Sequence, residues 1–191
     1  MKKFNDFIPF LTLIFLLSVI GISTYKISNK QQIQQEEFSK NSAENFDSRF
    51  SREKIVLPEF SLPDLFDSSK DFSKKDLVKK YSLVNFFASW CTTCRAEHEN
   101  LMRLKDSGII DIYGVAWRDI DDNTKSYLQS NGNPFVKVAT DAQGLFTKII
   151  GINAVPETLI IDREGNVILR YSGNLEETSV AEIKEFLAKN K

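Results

Sequence analysis

The order of apolar and polar positions predicts alternating strands and helices along most of the chain. The run Leu83–Ala88 (LVNFFA) contains no charged residue, which is typical of a strand buried on both faces of a sheet. A polar, helix-favouring stretch, RAEHENLMRLKDS, follows it closely. The segments Ile109–Ala116 and Phe135–Ala139 predict two more strands, and a helix is expected between them over Asp122–Asn131.

The C-terminal third predicts a short helix, a β-hairpin and a last helix. Asp141 can cap the short helix, which ends before Gly151. The segment NAVPETLIID leads into a strand, REGN provides a turn, and VILRYSG pairs back in antiparallel orientation. Ser179 and Glu182 have the spacing of a capping box, and apolar residues follow at helical intervals.

The elements combine into one architecture. Upstream of the buried strand, Leu57–Leu65 alternates between apolar and polar residues with prolines and suits a short edge strand, and Ser73 can cap a short helix. The resulting order of strands and helices predicts an α/β fold with three layers, in which helices cover both faces of a central mixed sheet. We place this domain at residues 55–191.

The N-terminal residues predict a membrane anchor and a tether. Residues 7–25 carry no charge, and a helix of this length spans about 28 Å, close to the hydrocarbon thickness of a bilayer. We therefore expect a cytoplasmic N-terminus at residues 1–6 and a transmembrane helix at residues 7–25. Residues 26–54 are rich in Gln, Asn, Ser and Glu and predict a tether.

Two features of the anchor bear on its fate and orientation. Gly21 and Ser23 have the spacing of a signal-peptidase site, but the long apolar stretch favours an anchor that is not cleaved. Lys2, Lys3 and the amino terminus slightly outnumber the charges just after the span, which favours an N-terminus inside the cell.

Composition excludes some function classes. The chain has 25 basic and 26 acidic side chains and a net charge of -1, which gives no indication of a nucleic-acid partner. Its two cysteines and single histidine cannot supply the four soft ligands of a structural zinc site. We predict no metal and no cofactor.

The two cysteines form a Cys-Thr-Thr-Cys motif directly after the buried strand. Cys91 and Cys94 fall at the start of a predicted helix, whose partial positive charge and free N–H groups favour a thiolate. A purely structural disulfide across roughly four residues would add only about 2 kcal/mol of stability. The motif therefore indicates redox chemistry.

These motifs resemble the thioredoxin superfamily and, more narrowly, the membrane-anchored CcmG/DsbE thiol:disulfide interchange proteins of cytochrome c maturation. The resemblance rests on PEFSLPDL, LVNFFASWCTTCRAEHENL, NPF, AVPETLIID and YSGNL, between Leu57 and Leu175. It implies a thioredoxin-like fold with an N-terminal transmembrane helix and a redox domain on the periplasmic side of the inner membrane. The implied activity is that of a protein-disulfide reductase that keeps the haem-attachment cysteines of apocytochrome c reduced. The implied partners are apocytochrome c, other components of the maturation system and a membrane thiol-disulfide electron donor.

Chemistry and the resemblance together assign roles around the cysteines. Cys91 is the expected nucleophile, and Cys94 is expected to resolve the mixed disulfide. The resemblance implies that Pro156 is cis and that Val155 offers its backbone to an extended substrate; from sequence alone, a trans turn proline is the commoner case. Thr92 is assigned to the substrate-binding surface, and the Thr92-Thr93 pair is expected to influence the reduction potential.

Three further side chains are assigned supporting roles. Trp90 is expected to shield the cysteine pair and shape a docking surface, with a buried core tryptophan as the alternative. Thioredoxins proper carry an aspartate at the position of Asn85, which cannot ionise. Glu97 matches the family's CxxCxxE pattern, and we hypothesise that it tunes Cys94, with Glu157 as a second acidic contributor. The alternative for Glu97 is a solvated helix carboxylate.

The same residues are compatible with other activities. Disulfide exchange could run in the opposite direction, making the protein an oxidant that donates disulfides. His98 is expected at the surface, but with the cysteines it could be a third copper ligand in a metallochaperone. The chain could also be a peroxidase of the related redoxin families, although a second cysteine three residues away suits disulfide exchange better.

Overall fold

The computed structural model describes residues 21–22, 24–26, 30, 50–51, 55–78 and 80–190. The chain separates into two units, Met1–Asn45 and Phe46–Lys191. In the first unit, the described residues are helical and exposed. The predicted anchor and tether lie largely outside the described residues, and among those described no helix is long and apolar enough to cross a membrane.

The second unit holds the predicted α/β domain. In chain order its described elements are β1 (Phe50–Ser51), β2 (Ile55–Val56), β3 (Ser61–Pro63), β4 (Asp71–Ser73), α1 (Lys74–Leu77), β5 (Ser82–Phe87), α2 (Thr92–Asp106), β6 (Asp111–Trp117), α3 (Asp121–Asn131), β7 (Lys137–Asp141), α4 (Leu145–Ile149), β8 (Glu157–Ile161), β9 (Asn166–Ser172) and α5 (Glu177–Lys189).

The main sheet is mixed, as predicted. Its strand order is β1-β9-β8-β5-β6-β7, with β2 also paired to β9. Strand β5 lies at the centre, parallel to β6 and antiparallel to β8, so that Phe86 is in register with Val115 and Glu157. Strands β8 and β9 form the predicted hairpin, and β3 and β4 form a separate two-stranded sheet. The end of β5, which leads into the cysteine motif, therefore lies in the middle of the sheet.

Alternate residues of β5 face two hydrophobic clusters, one on each side of the sheet. Leu83 and Phe87 contribute to a cluster that also contains buried residues of α2, α3 and α5. Val84 and Phe86 contribute to the second cluster, with buried residues of α1, α4 and β4. This alternation follows from the two-residue period of a strand, and it confirms the three predicted layers.

Two local predictions are wrong. Helix α5 begins at Glu177, so Ser179 lies inside its first turn and is not its cap. The Ser179 hydroxyl is buried and hydrogen bonds to the Tyr171 hydroxyl at 2.9 Å. The predicted third strand begins later than Phe135, which packs as a core residue against the Phe87 ring at 4.9 Å.

The predicted capping of α4 by the Asp141 side chain is confirmed, although the N-cap position itself is occupied by Gly144. The Asp141 carboxylate accepts hydrogen bonds from the backbone N–H groups of Leu145 and Thr147, each at 2.9 Å. These bonds satisfy donors that the first turn of a helix leaves free.

Candidate active site

Cys91 and Cys94 lie between the end of β5 and the first turn of α2, and they are joined by a disulfide bond. Cys91 is the N-cap of α2, and the backbone N–H of Cys94 donates to the Cys91 sulfur at 3.1 Å. Cys91 is 6% exposed and Cys94 is 3% exposed. An N–H donor at a helix N-terminus favours a thiolate over a thiol. When the pair is reduced, the same geometry therefore suits Cys91 to attack.

The loop before β8 meets the cysteine pair. The peptide bond between Val155 and Pro156 is cis, in agreement with the expectation from the resemblance. The Cys91 sulfur lies 3.7 Å from the carbonyl oxygen of Val155. Beside this contact is a groove of ≈ 350 Å³, whose lining includes Thr93, Val155 and Asn174. A polypeptide lying in this groove would run next to the reactive sulfur.

The two threonines between the cysteines are both exposed but differ in their contacts. Thr92 faces solvent on the first turn of α2. The Thr93 hydroxyl lies 3.3 Å from the Cys91 sulfur, to which it can donate a hydrogen bond. From the sequence, Thr92 was assigned to the site and Thr93 was missed as a contact of the nucleophile, because both hydroxyls belong to the same turn and their spacing does not distinguish them.

Glu97 is buried in the core on the same face of α2 as Cys94, so the solvated alternative is wrong. Its carboxylate accepts hydrogen bonds from the Asn85 side-chain amide at 2.9 Å and from the Leu175 backbone N–H at 2.8 Å. Burial raises the pKa of Glu97 to about 7, and these two hydrogen bonds oppose that increase. Glu97 can therefore exchange a proton near neutral pH.

Asn85 is fully buried on β5 and presents its amide donors to neighbouring oxygens. Besides the bond to Glu97, its Nδ2 atom donates to the Thr158 hydroxyl at 3.1 Å. Its Oδ1 atom is buried and has no hydrogen-bond partner among the described residues. Directing the donors towards Glu97 favours the ionised carboxylate over the protonated form.

Glu157 is buried at the start of β8, and its carboxylate is directed to the neighbouring strand. It forms an ion pair with Arg170 on β9, and the Ser172 hydroxyl lies 3.5 Å from the same oxygen. These contacts engage Glu157 with β9. Its proposed action on Cys94 stays a prediction.

Trp90 is 56% exposed, so the alternative of a buried core tryptophan is wrong. Its indole N–H donates to the Arg118 carbonyl oxygen at 3.2 Å, and its ring lies 6.2 Å from that of Trp117. The residue before the cysteines therefore belongs to the surface that surrounds them.

Sequence reasoning missed Asp119, which holds the loop in front of the cysteines. Its carboxylate is buried and accepts hydrogen bonds from the Ser89 backbone N–H at 2.5 Å, from the Ser89 hydroxyl at 3.0 Å and from the Thr124 hydroxyl at 2.8 Å. The position of Asp119 just after β6 could have indicated that it lies near this loop, because the carboxyl ends of adjacent parallel strands meet at one edge of a sheet.

His98 is 7% exposed, so the predicted surface position is wrong. Its Nε2 atom faces the carbonyl oxygens of Asn131 and Gly132 at 3.2 and 3.0 Å, which can only accept. Nε2 therefore donates, and Nδ1 accepts from the Tyr127 hydroxyl at 2.8 Å. Since both ring nitrogens are directed to α3, His98 is not placed as a third ligand beside the cysteines. Within the described ranges, no three His, Cys, Asp or Glu side chains are grouped to hold a metal ion.

Comparison with known proteins agrees with this geometry. A sequence model of redoxins matches residues 52–187. The thiol:disulfide interchange protein HelX of Rhodobacter capsulatus is 41% identical over 98 residues, which cover 51% of this chain and 55% of HelX. A thiol:disulfide interchange protein DsbE homolog of Paracoccus denitrificans is 37% identical over 124 residues, covering 65% of this chain and 66% of the homolog.

Comparison with solved structures identifies the fold. The crystal structure of a thiol:disulfide interchange protein of the thioredoxin family from Chlorobium tepidum is 25% identical and superposes with a TM-score of 0.59, covering 73% of this chain and 97% of that one. The chain spans less than two thirds of the length of the first curated relatives it matches, 55% to 62%. The central mixed sheet and its helices are thus a thioredoxin-like fold.

Proposed function

The chain belongs to the redoxin family, and we propose that it is a membrane-anchored thiol:disulfide oxidoreductase that reduces the haem-attachment cysteines of apocytochrome c. The observation that carries the proposal is the placement of Cys91. Its sulfur accepts a helix N-terminal N–H at 3.1 Å and lies 3.7 Å from the Val155 carbonyl, where a substrate chain would lie. The nucleophilic sulfur of Cys91 thus lies next to the backbone of Val155, to which a substrate chain would bind.

The reaction transfers two electrons from the reduced cysteine pair to a substrate disulfide. The Cys91 thiolate attacks one substrate sulfur, the substrate S–S bond breaks, and the other substrate sulfur leaves as a thiolate that takes up a proton. Cys94 then attacks the Cys91 sulfur of the mixed disulfide. That bond breaks, the second substrate thiolate leaves, and the Cys91–Cys94 disulfide seen here is formed.

Glu97 supplies the proton acceptor for the second step. Cys94 must lose its proton before it can attack, and Glu97 lies one helical turn away on the same buried face. A carboxylate with a pKa of about 7 is half ionised at neutral pH, which suits a general base. Asn85 and the Leu175 N–H hold this carboxylate in place.

We further propose the location and partners of this activity. The uncharged residues 7–25 and the polar residues 26–54 support an inner-membrane anchor with the redox domain tethered on the periplasmic side. The names of the HelX and DsbE relatives support the placement among thiol:disulfide interchange proteins. Tethering suits exchange with apocytochrome c, with other components of the maturation system and with a membrane thiol-disulfide electron donor.

The test uses the reduced full chain in detergent and a disulfide-bonded peptide containing Cys-x-x-Cys-His, the haem-attachment sequence. The expected result is reduction of the peptide together with oxidation of the Cys91–Cys94 pair. Cys94→Ser should trap a mixed disulfide through Cys91, and Cys91→Ser should be inactive. If only the oxidised chain reacts, by converting the dithiol peptide to its disulfide, the reductant assignment is wrong and the protein is a disulfide donor.

A further inference from the structure

We infer that the surface beside the cysteine pair selects substrate polypeptides in which an acidic residue stands next to an apolar one. This surface, here called the Trp-Arg surface, consists of Trp90, Trp117, Arg118, Ile120 and Leu145. The inference rests on the proposed function, and it assigns substrate selection chiefly to Arg118, which the exchange steps do not use.

The Trp-Arg surface is continuous with the active site. Trp90 directly precedes Cys91, and its indole N–H bonds to the Arg118 carbonyl at 3.2 Å. The Arg118 guanidinium lies 5.0 Å from the centre of the Trp117 ring. Gly144, just before Leu145, lies against the side chains of Arg118 and Trp117. A Cβ atom at this position would lie 2.7 Å from Arg118 Nε and 3.0 Å from Trp117 Nε1.

The backbone of Arg118 is held in an unfavourable conformation at this point. Its φ of 47° is in the left-handed region, which among the described residues other than glycine is adopted by Arg118 alone. Its N–H donates to the Asp141 carbonyl at 3.1 Å, and its own carbonyl accepts from Trp90. Such strain persists where the surroundings fix it and is concentrated at functional sites. The fold thus fixes Arg118 beside Trp90.

The exposed atoms of the Trp-Arg surface suit a partner. Trp90, Ile120 and Leu145 are 56%, 65% and 64% exposed. Ile120 follows Arg118 closely in the chain, and Leu145 follows Gly144, which lies against Arg118 and Trp117. Exposed apolar groups gathered in this way mark binding surfaces, and Trp and Arg are enriched among the residues that dominate interface energies. Trp90, Ile120 and Leu145 can thus contact an apolar side chain of the substrate.

The positive charge of Arg118 indicates which type of residue should stand beside the apolar residue of the substrate. Within the part of the chain that the structure describes, the Arg118 guanidinium stacks on Trp117 and forms no ion pair. It can therefore take a substrate carboxylate in a bidentate hydrogen bond. Asp121 and Asp122, which follow Arg118 in the chain at the start of α3, are exposed and negatively charged, so a run of acidic residues would be disfavoured relative to a single one. The favoured occupant has one acidic residue beside an apolar one.

The experiment measures kcat/KM of the reduced full chain in detergent for two disulfide-bonded peptides. They are identical except for Glu or Gln beside a leucine near the cysteine. We expect the Glu peptide to react about fivefold faster, as for one charge-assisted contact of about 1 kcal/mol. Arg118→Gln should bring this ratio to about one, and Arg118→Lys should keep part of it.

Two further variants separate charge from backbone and from general effects. Arg118→Gly relieves the left-handed φ but removes the charge, so its ratio should match that of Arg118→Gln. Arg163→Gln is the matched control, because Arg163 also stacks on an aromatic ring, that of Tyr81 at 5.4 Å, but lies outside the Trp-Arg surface. It should leave the ratio at about fivefold.

Equal rates for the two peptides with the unaltered chain would overturn the inference and leave the proposed function intact. A ratio that persists in Arg118→Gln would also overturn it. Failure to reduce either peptide would overturn the proposed function and the inference together.

Discussion

The side-chain amide of Asn85 donates to the carboxylate of Glu97 across 2.9 Å, joining the central strand to the helix that carries both cysteines. The ionisable group of this pair is on the helix, and its partner on the strand is a neutral amide that cannot titrate. The carboxylate that we propose as the proton acceptor for the resolving cysteine therefore lies three residues after Cys94.

Replacing Glu97 with Gln should slow resolution of the mixed disulfide. Glutamine is close in shape but accepts no proton, so the rate of the Cys94 step should fall by about 100-fold at pH 8, the low end for general base catalysis. In the unaltered chain the rate should rise through about pH 7, the pKa of Glu97, and this inflection should be lost in the variant. Stopped-flow measurement of released substrate thiol against pH gives both quantities.

The control for this experiment is Glu99→Gln, which removes an exposed carboxylate on the same helix that pairs with Arg103 at 3.0 Å. It should keep the inflection and the rate. If Glu97→Gln retains the full rate and the inflection near neutral pH, Glu97 is not the base.

Glu97 should also make folding stability depend on pH. Its pKa rises from 4.5 to about 7 on folding because burial penalises the charge. The folded state therefore binds this proton more tightly than the unfolded state. The Glu97 contribution is fully present below about pH 4.5 and is lost as pH rises through 7, an effect of about 3 kcal/mol in the free energy of unfolding.

Urea unfolding of the full chain and of Glu97→Gln at several pH values measures this contribution as a difference between the two proteins. The subtraction removes other carboxylates, such as Asp67, whose pKa is lowered to about 2 and whose effect has the opposite sign. The difference should change between about pH 4.5 and 7 and then stay constant. A difference that does not vary with pH would mean that Glu97 titrates normally.

Asp119 should stabilise both the fold and the loop that precedes Cys91. Asp119→Ala leaves the Ser89 N–H and the Ser89 and Thr124 hydroxyls without their acceptor, so the free energy of unfolding should fall by about 3 kcal/mol. Because Trp90 follows Ser89, its fluorescence should change as well. Asp122→Ala removes an exposed carboxylate from the same region and should cost less than about 0.5 kcal/mol.

The sequence was sufficient where the signal is local. The uncharged run at β5 and the cysteines directly after it predicted the central strand and the helix N-terminus, because burial on both faces and helix capping depend on neighbouring residues. The cis bond before Pro156 came from the resemblance, since a Val-Pro pair by itself favours the trans form.

The residues that were predicted wrongly or missed have in common that their contacts are made with residues far away in the chain. His98 appeared to be a surface residue because its partner Tyr127 is 29 residues away on another helix. Asp119 was missed because the loop it holds lies 30 residues earlier and is brought near by the parallel pairing of β5 and β6. Ser179 has the spacing of a cap, but its hydroxyl is used by Tyr171 of β9.

The reduction potential of the Cys91–Cys94 pair tests the proposed reductant role most directly. It can be read from equilibrium of the full chain with glutathione, with Trp90 fluorescence as a reporter. A reductant of apocytochrome c should have a potential towards that of thioredoxin, about -270 mV. A potential near the roughly -120 mV of a strong oxidant would contradict the reductant role and identify the protein as a disulfide donor.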